Sequence, residues 1–255
     1  MEQWPRLEIM GQQRIKLVAS LLSLAFLVTC ATPEGHTREP RRSTLVLQRA
    51  ALRPVIIGRG TWRADNSAVR QKPLYSRSVK AVFVHHTDNP NHYDCKADVP
   101  AMLLAMEEAH LALGWDDLGY NFVVDRCGTI YEGRAGGVDR AVRGAHTEGF
   151  NANSVGIAAL GTFGKGEKVP RPMLEAIASI AAWKLDPGID PLGRVRLVST
   201  NSKSRYPKGT SVKVNVISGH RDVFETTCPG DALYDALPWV RQAAAQLRNK
   251  AVRAG

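Results

Sequence analysis

No apolar run in this 255-residue chain is long enough to cross a bilayer. The longest, Leu17 to Val28, has about 12 residues, where a helical span needs about 20. No internal repeat or low-complexity tract is present, which removes stacked-repeat architectures. Gly and Pro are frequent but aperiodic, so a collagen-like or wholly disordered chain is excluded. No His-Glu-x-x-His helix occurs, so a metalloendopeptidase of that kind is not expected. Basic residues are scattered, aromatics make up 7% of the chain, and no aromatic–basic repeat appears. No nucleic-acid partner is therefore expected. Acidic residues are in deficit, 24 against 34 basic, for a net charge of +10. Such a surface attracts anionic polymers, acidic lipid headgroups or the carboxylates and phosphates of a wall, or it only aids solubility.

What is present suits one globular domain with short appendages, since 44% of the residues are hydrophobic. Arg14 and Lys16 precede the apolar run, and Thr29, Cys30 and Ala31 follow it, the profile of an exported leader cleaved after Ala31. Two rivals stay open. One is a lipidation box at Leu27–Cys30, which Thr29 fits poorly; the other is an uncleaved anchor. The expected organisation is a signal peptide over 1–31, a charged linker and extension over 32–60, and a globular domain over 61–250. Within the extension, Val55-Ile56-Ile57 reads as an edge strand.

Val79 to Val84 is short, apolar and β-branched, a buried strand leading into His85-His86-Thr87. Asp98 is placed to cap a helix with Pro100 in its first turn and Gly114 at its end. Asn121–Val124 and Thr129–Tyr131 read as a hairpin across Asp125–Gly128. Ser154–Leu160 reads as a strand and Arg171–Leu185 as a helix with Leu174, Ile177, Ile180 and Ala181 on one face. Val212–Ile217 is a strand leading into Gly219-His220-Arg221. Asp231–Leu247 is a closing helix that Pro238 interrupts or kinks. Residues 199–210 read as an extra polar loop. Strands alternating with helices indicate an α/β domain with a central mixed sheet flanked by helices.

His85 and His220 each follow a predicted strand, at the sheet edge where α/β sites are built. Cys228 lies in the nearby loop Thr226–Gly230. Two imidazoles and a thiolate suit zinc, and three protein ligands leave the fourth tetrahedral position for water. Zinc lowers the pKa of such a water towards about 7. The bland alternative is a hydrogen-bonded histidine at each strand end and a buried thiol.

Val84-His85-His86-Thr87, Gly114-Trp115-Asp116-Asp117-Leu118-Gly119-Tyr120-Asn121-Phe122 and Gly128-Thr129-Ile130-Tyr131-Glu132-Gly133-Arg134 occur in this order. Gly144-Ala145-His146, Asn153-Ser154-Val155-Gly156-Ile157, and Gly219-His220-Arg221-Asp222-Val223 with Cys228-Pro229-Gly230 complete the set. The series resembles the type-2 N-acetylmuramoyl-L-alanine amidases and peptidoglycan recognition proteins over roughly residues 62 to 245. The stretch Tyr131–Gly137 is similar to secreted actinobacterial members.

The resemblance implies an amidase that cleaves between N-acetylmuramic acid and L-alanine, with one zinc ion held by His85, His220 and Cys228. Tyr120 matches a catalytic tyrosine; without the resemblance it reads as core. His86 matches no ligand and faces the substrate or supports the ligand shell. Arg134, His146 and Asn151, together with Glu132, are candidates for the peptide-stem groove, Arg134 because its fork suits carboxylates. Thr226 stands where phage lysozyme-type amidases carry a catalytic lysine. Ala158 stands where the cytoplasmic recycling amidases carry a glutamate, which leaves the general base unassigned. Peptidoglycan stems are the implied partner, with anionic wall polymers as a further one. The chain is expected to be monomeric, exported and without stable membrane insertion after processing. The competing class is a module that binds peptidoglycan without cleaving it; binding-only members commonly replace the ligand cysteine, which here is present. With Cys30 in the leader and Cys228 as ligand, Cys95 and Cys127 remain. In an oxidising compartment they can pair, though the sequence leaves their Cα separation open.

Overall fold

The computed structural model describes residues 51–253. The leader, Cys30 and the first part of the extension lie outside the described residues.

A five-stranded sheet organises the domain, in the order β3-β2-β4-β1-β7. Its strands are β1 (Ala81–His86), β2 (Phe122–Val124), β3 (Ile130–Glu132), β4 (Ser154–Ala159) and β7 (Ile217–Gly219). β1 pairs in parallel with β4 and β7, β2 pairs in parallel with β4, and β3 closes the edge antiparallel to β2. The sheet is therefore mixed, as the sequence indicates. The two central strands, β1 and β4, are buried almost throughout, which is why they read as continuous apolar runs.

The period of two sends successive β1 side chains to opposite faces. Val82 and Val84 join the larger core under α2 (Arg171–Lys184) and α3 (Asp231–Arg253). On α3, Leu233, Leu237, Val240 and Ala244 form a buried stripe at helical spacing. Each of the leucine and valine side chains contributes about 1.5–3 kcal/mol on burial. α3 runs unbroken through Pro238, with Leu237 and Val240 packed on either side of it.

The opposite face has two covers. α1 (Val99–Ala112) packs Val99 and Leu103 with Leu118, Val123 and Ala158. Asp98 occupies the N-cap position of α1, but its carboxylate accepts the Asp94 N–H at 2.8 Å rather than a helix N–H. The second cover is a hairpin of β5 (Arg194–Val198) and β6 (Ser211–Asn215), which lays Leu197, Val212 and Val214 on Phe83 and Phe150. The expected single strand Val212–Ile217 is thus two strands in two sheets. The division falls at Val216, whose N–H bonds Gly193 O and whose carbonyl accepts from Val82.

Residues 51–60, read from sequence as linker, pack onto the domain. Ile57 exchanges backbone hydrogen bonds with Ile130 and Glu132 along β3, the edge pairing that Val55-Ile56-Ile57 suggested. Arg59, in the 3-10 turn Arg59–Trp62, is buried and meets Glu107 at 2.6 Å and Asp117 at 3.1 Å.

Candidate metal centre and groove

α1 and the β5–β6 hairpin leave a gap between them over the C-terminal end of β1. His85 and His86 are the last two residues of β1 rather than just beyond it. Alternation turns the His85 ring into the gap and the His86 ring away. His220 follows β7 directly, in the turn His220–Asp222. Asp222 shapes that turn by accepting the Gly219 N–H at 2.9 Å and the Tyr234 hydroxyl at 2.6 Å. Cys228 is carried back to the site by Arg221, whose N–H bonds the Cys228 carbonyl at 3.0 Å.

One donor atom from each of His85, His220 and Cys228 lies within 4.8 Å of the others. His85 Nδ1 is 3.7 Å from Cys228 Sγ. Ordinary Zn–N and Zn–S bond lengths in a tetrahedron put such a pair about 3.5 Å apart, so this donor set fits a single ion. Burial holds all three nearby imidazoles neutral, as ligands must be. It drives the His85 pKa well below its ordinary value, with His220 adding to the effect. It takes His220 down to about 4, with His86 adding, and His146 down to about 3, with His220 adding. The same burial pushes the Cys228 thiol up to about 12, against the lowering effect of the His86 N–H. A thiolate at that depth calls for a cation beside it. The other tight grouping, Cys95, Cys127 and Asp125, is no ligand set, because the two cysteines form a disulfide with Cα atoms 6.4 Å apart.

The remaining sequence-derived residues take different places. Tyr120 sits with its ring 5.2 Å from that of His85. Burial, then the neighbouring Cys228, holds its hydroxyl pKa well above the usual phenol value, so it stays protonated. His146 is only 5% exposed and stands behind His85 more than along a groove wall, with its Nδ1 3.2 Å from His85 Nε2. Thr147 Oγ1 lies 3.3 Å from the same nitrogen and 2.9 Å from His146 Nδ1. A metal on His85 Nδ1 would leave the ring proton on Nε2, facing His146 Nδ1 and Thr147 Oγ1 as acceptors, the way outer-shell partners orient metal ligands. Asn151 braces this loop by accepting the His146 and Thr147 N–H groups at 2.9 and 2.8 Å. Gly156 on β4 makes room for it; a Cβ there would fall onto the His146 ring.

His86 accepts the Phe163 N–H on Nδ1 at 3.3 Å, and its own N–H donates to Cys228 Sγ at 3.4 Å, so it supports the ligand loop. The Thr226 hydroxyl accepts the Cys228 N–H at 3.1 Å and thereby shapes that loop. Arg134 is not among the groove's lining residues: its guanidinium donates to Leu118 O at 3.2 Å and lies 3.9 Å from Asp116, which does line the groove. Glu132 bonds the Arg59 N–H at 3.5 Å. Ala158 stands opposite His85 in register, so β4 presents a methyl group there.

The gap forms a groove of about 620 Å³ whose lining includes His146 and His220, with Trp115 and Asp116 on the α1 side and Asn151 and Lys203 on the hairpin side. A cavity of about 750 Å³ beside Arg70, Lys72 and Glu132 is larger but contains none of these candidate ligands. Sequence reasoning missed Thr147, and also His110, whose ring stacks on Trp115 and accepts the Gly119 N–H. The motif Gly144-Ala145-His146 ran up to Thr147, but nothing local signals a contact with β1.

The family model for N-acetylmuramoyl-L-alanine amidase matches residues 75–231, which spans the whole arrangement from before β1 to beyond Cys228. The chain belongs to this amidase family. It is 31% identical to peptidoglycan-recognition protein 1 of Holotrichia diomphalia, over 71% of this chain and 78% of that one. It is also 31% identical to the N-acetylmuramoyl-L-alanine amidase of Sus scrofa, over 74% of this chain but 28% of that longer protein. Among solved structures, peptidoglycan recognition protein-LE in complex with tracheal cytotoxin, a monomeric diaminopimelic acid-type peptidoglycan, superposes with a TM-score of 0.56 at 26% identity. The match covers 72% of this chain and 92% of that one. The family thus groups enzymes and recognition proteins on the mixed α/β fold described above.

Proposed function

We propose that this amidase-family chain is a zinc-dependent hydrolase that cleaves the amide bond between N-acetylmuramic acid and the L-alanine of the peptidoglycan stem. The observation that carries the reading is the convergence of His85, His220 and Cys228, with His220 lining the groove and Tyr120 beside His85. Held by these three side chains, zinc supplies Lewis acidity towards a carbonyl and lowers the pKa of water.

The chain's own residues supply the rest. Thr147 and His146 hold His85 in the tautomer that frees Nδ1. Thr226 and His86 set the position of Cys228. The Tyr120 hydroxyl, protonated because it is buried, donates to the oxyanion that develops on the scissile carbonyl. Ala158 leaves no carboxylate on β4 opposite His85, so no side chain is assigned as general base and the protonated Tyr120 acts as a hydrogen-bond donor only. The groove beside the triad receives the stem peptide, leaving the glycan and a free peptide amine as products. The export reading draws support from the Cys95–Cys127 disulfide, a bond suited to an oxidising compartment. Among the described residues no helix is long and apolar enough to cross a membrane.

The test uses purified peptidoglycan with the wild type and Cys228→Ser. New N-terminal alanine amines are expected from the wild type alone, and a chelator should abolish them. If both proteins bind the wall and neither releases amines, the chain is a binding module.

A further inference from the structure

The groove's lining includes two acids, both already engaged. Asp116 lies 3.9 Å from Arg134, and Glu148 accepts from Asn201 Nδ2 at 2.7 Å. Among the described residues that line it, Lys203 is the only lysine or arginine. Among the described residues, no hydrogen bond or ion pair is made by the Lys203 ammonium. Arg134, the cation expected there from the sequence, is turned inward to Leu118 O. Arg221, close to the ligand loop, is committed to Asp231 at 2.7 Å.

Lys203 does not sit on a loose loop. Thr200 bonds Gly149 O through both its N–H and its hydroxyl, at 2.8 and 3.0 Å. Ser199 and Ser204 are buried and share a hydrogen bond of 3.0 Å. Arg205 N–H bonds Val223 O at 3.0 Å, and its guanidinium bonds Glu225 at 2.7 Å. The segment 199–210 is thereby tied at one end to the loop that braces His85 and at the other to the loop that follows His220. The backbone that carries this free cation is thus anchored in the wall, while its four-carbon stem reaches into the groove.

We propose that Lys203 determines substrate specificity: its ammonium pairs with a free carboxylate on the stem peptide lying in the groove. This rests on the amidase reading, because that reading defines the stem as the occupant. Conversion of the carboxylate to a carboxamide removes the charge but keeps the shape, so Lys203 distinguishes the two forms.

The experiment measures amine release from muramyl peptides whose stem carboxylates are free or amidated. The wild type should favour the free form by about two- to fivefold, through KM, as an ion pair at an exposed site allows. Lys203→Gln should erase the preference, Lys203→Glu should reverse it, and Lys203→Arg should keep it. A change of equal size on both substrates, or none on either, overturns the proposal. The same pairs are titrated calorimetrically against Cys228→Ser protein, so discrimination is read as Kd even where no hydrolysis occurs. Absent hydrolysis by the wild type refutes the amidase reading, whereas equal Kd values for the two peptide forms refute the role of Lys203.

Discussion

His85 illustrates how a single side chain is defined from two sides. Its Nδ1 faces Cys228 at 3.7 Å, and its Nε2 faces His146 and Thr147 at 3.2 and 3.3 Å. A ring held at both nitrogens has neither a free tautomer nor a free rotation. Tyr120 is the complementary case, placed against this ring but contributing no ligand atom. Tyr120→Phe should therefore retain stoichiometric zinc by elemental analysis while kcat falls about 10²–10³-fold, the usual cost of one oxyanion donor. Loss of zinc along with activity would instead give Tyr120 a structural role. At this scale the candidate ligands were legible in the sequence because each motif contains its own histidine or cysteine. The true surroundings of Arg134 and His146 were not, because burial and partner choice depend on chain segments far away in sequence.

The 3-10 turn Arg59–Trp62 ties the segment before the sheet to α1. Arg59 places one guanidinium between Glu107 and Asp117, and Trp62 donates to Glu132 O at 2.9 Å. Removing one member of a buried ion cluster strands the others and costs about 3–5 kcal/mol. Arg59→Met should accordingly lower the unfolding free energy obtained from urea titration by that amount at neutral pH. Arg59→Lys should recover only part of it, since an ammonium lacks the fork that meets both acids. An unchanged midpoint for Arg59→Met would mean the turn is not integral to the fold. This region reads from its residues as a charged linker because an arginine among prolines and glycines looks solvated. β5 was overlooked for the opposite reason: its alternation of Arg194, Val195, Arg196 and Leu197 was visible, but it is short and lies next to a polar loop. The split of β6 from β7 follows from which strands each half pairs with, and a run of β-branched residues carries no mark of that.

For the molecule as a whole, the buried imidazoles link stability to pH. His146 and His220 have folded pKa values of about 3 and about 4, below the ordinary 6.5, and His85 is also depressed. Below pH 6.5 the unfolded chain takes up protons that the folded chain refuses. Stability contributed by these groups is thus fully present above 6.5 and is lost as pH falls towards 4. The metal-free protein should show a denaturant midpoint that drops between pH 7 and 4.5, with a flatter dependence in His146→Gln. A midpoint constant over that range would show that the rings titrate normally. Added zinc should raise the midpoint more at pH 7.5 than at pH 5, because ligation needs neutral imidazoles and a thiolate.

The sequence by itself determined the strands and helices that repeat a clear period, the α/β class, and the identities of His85, His220, Cys228 and Tyr120, since each of these is written in contiguous residues. Tertiary structure alone decided that α1 and the β5–β6 hairpin stand apart over one sheet face. It also decided that Arg134 is spent inside the fold and that Lys203 is left free in the groove. Those outcomes depend on contacts between segments distant along the chain, whose energies no local pattern encodes.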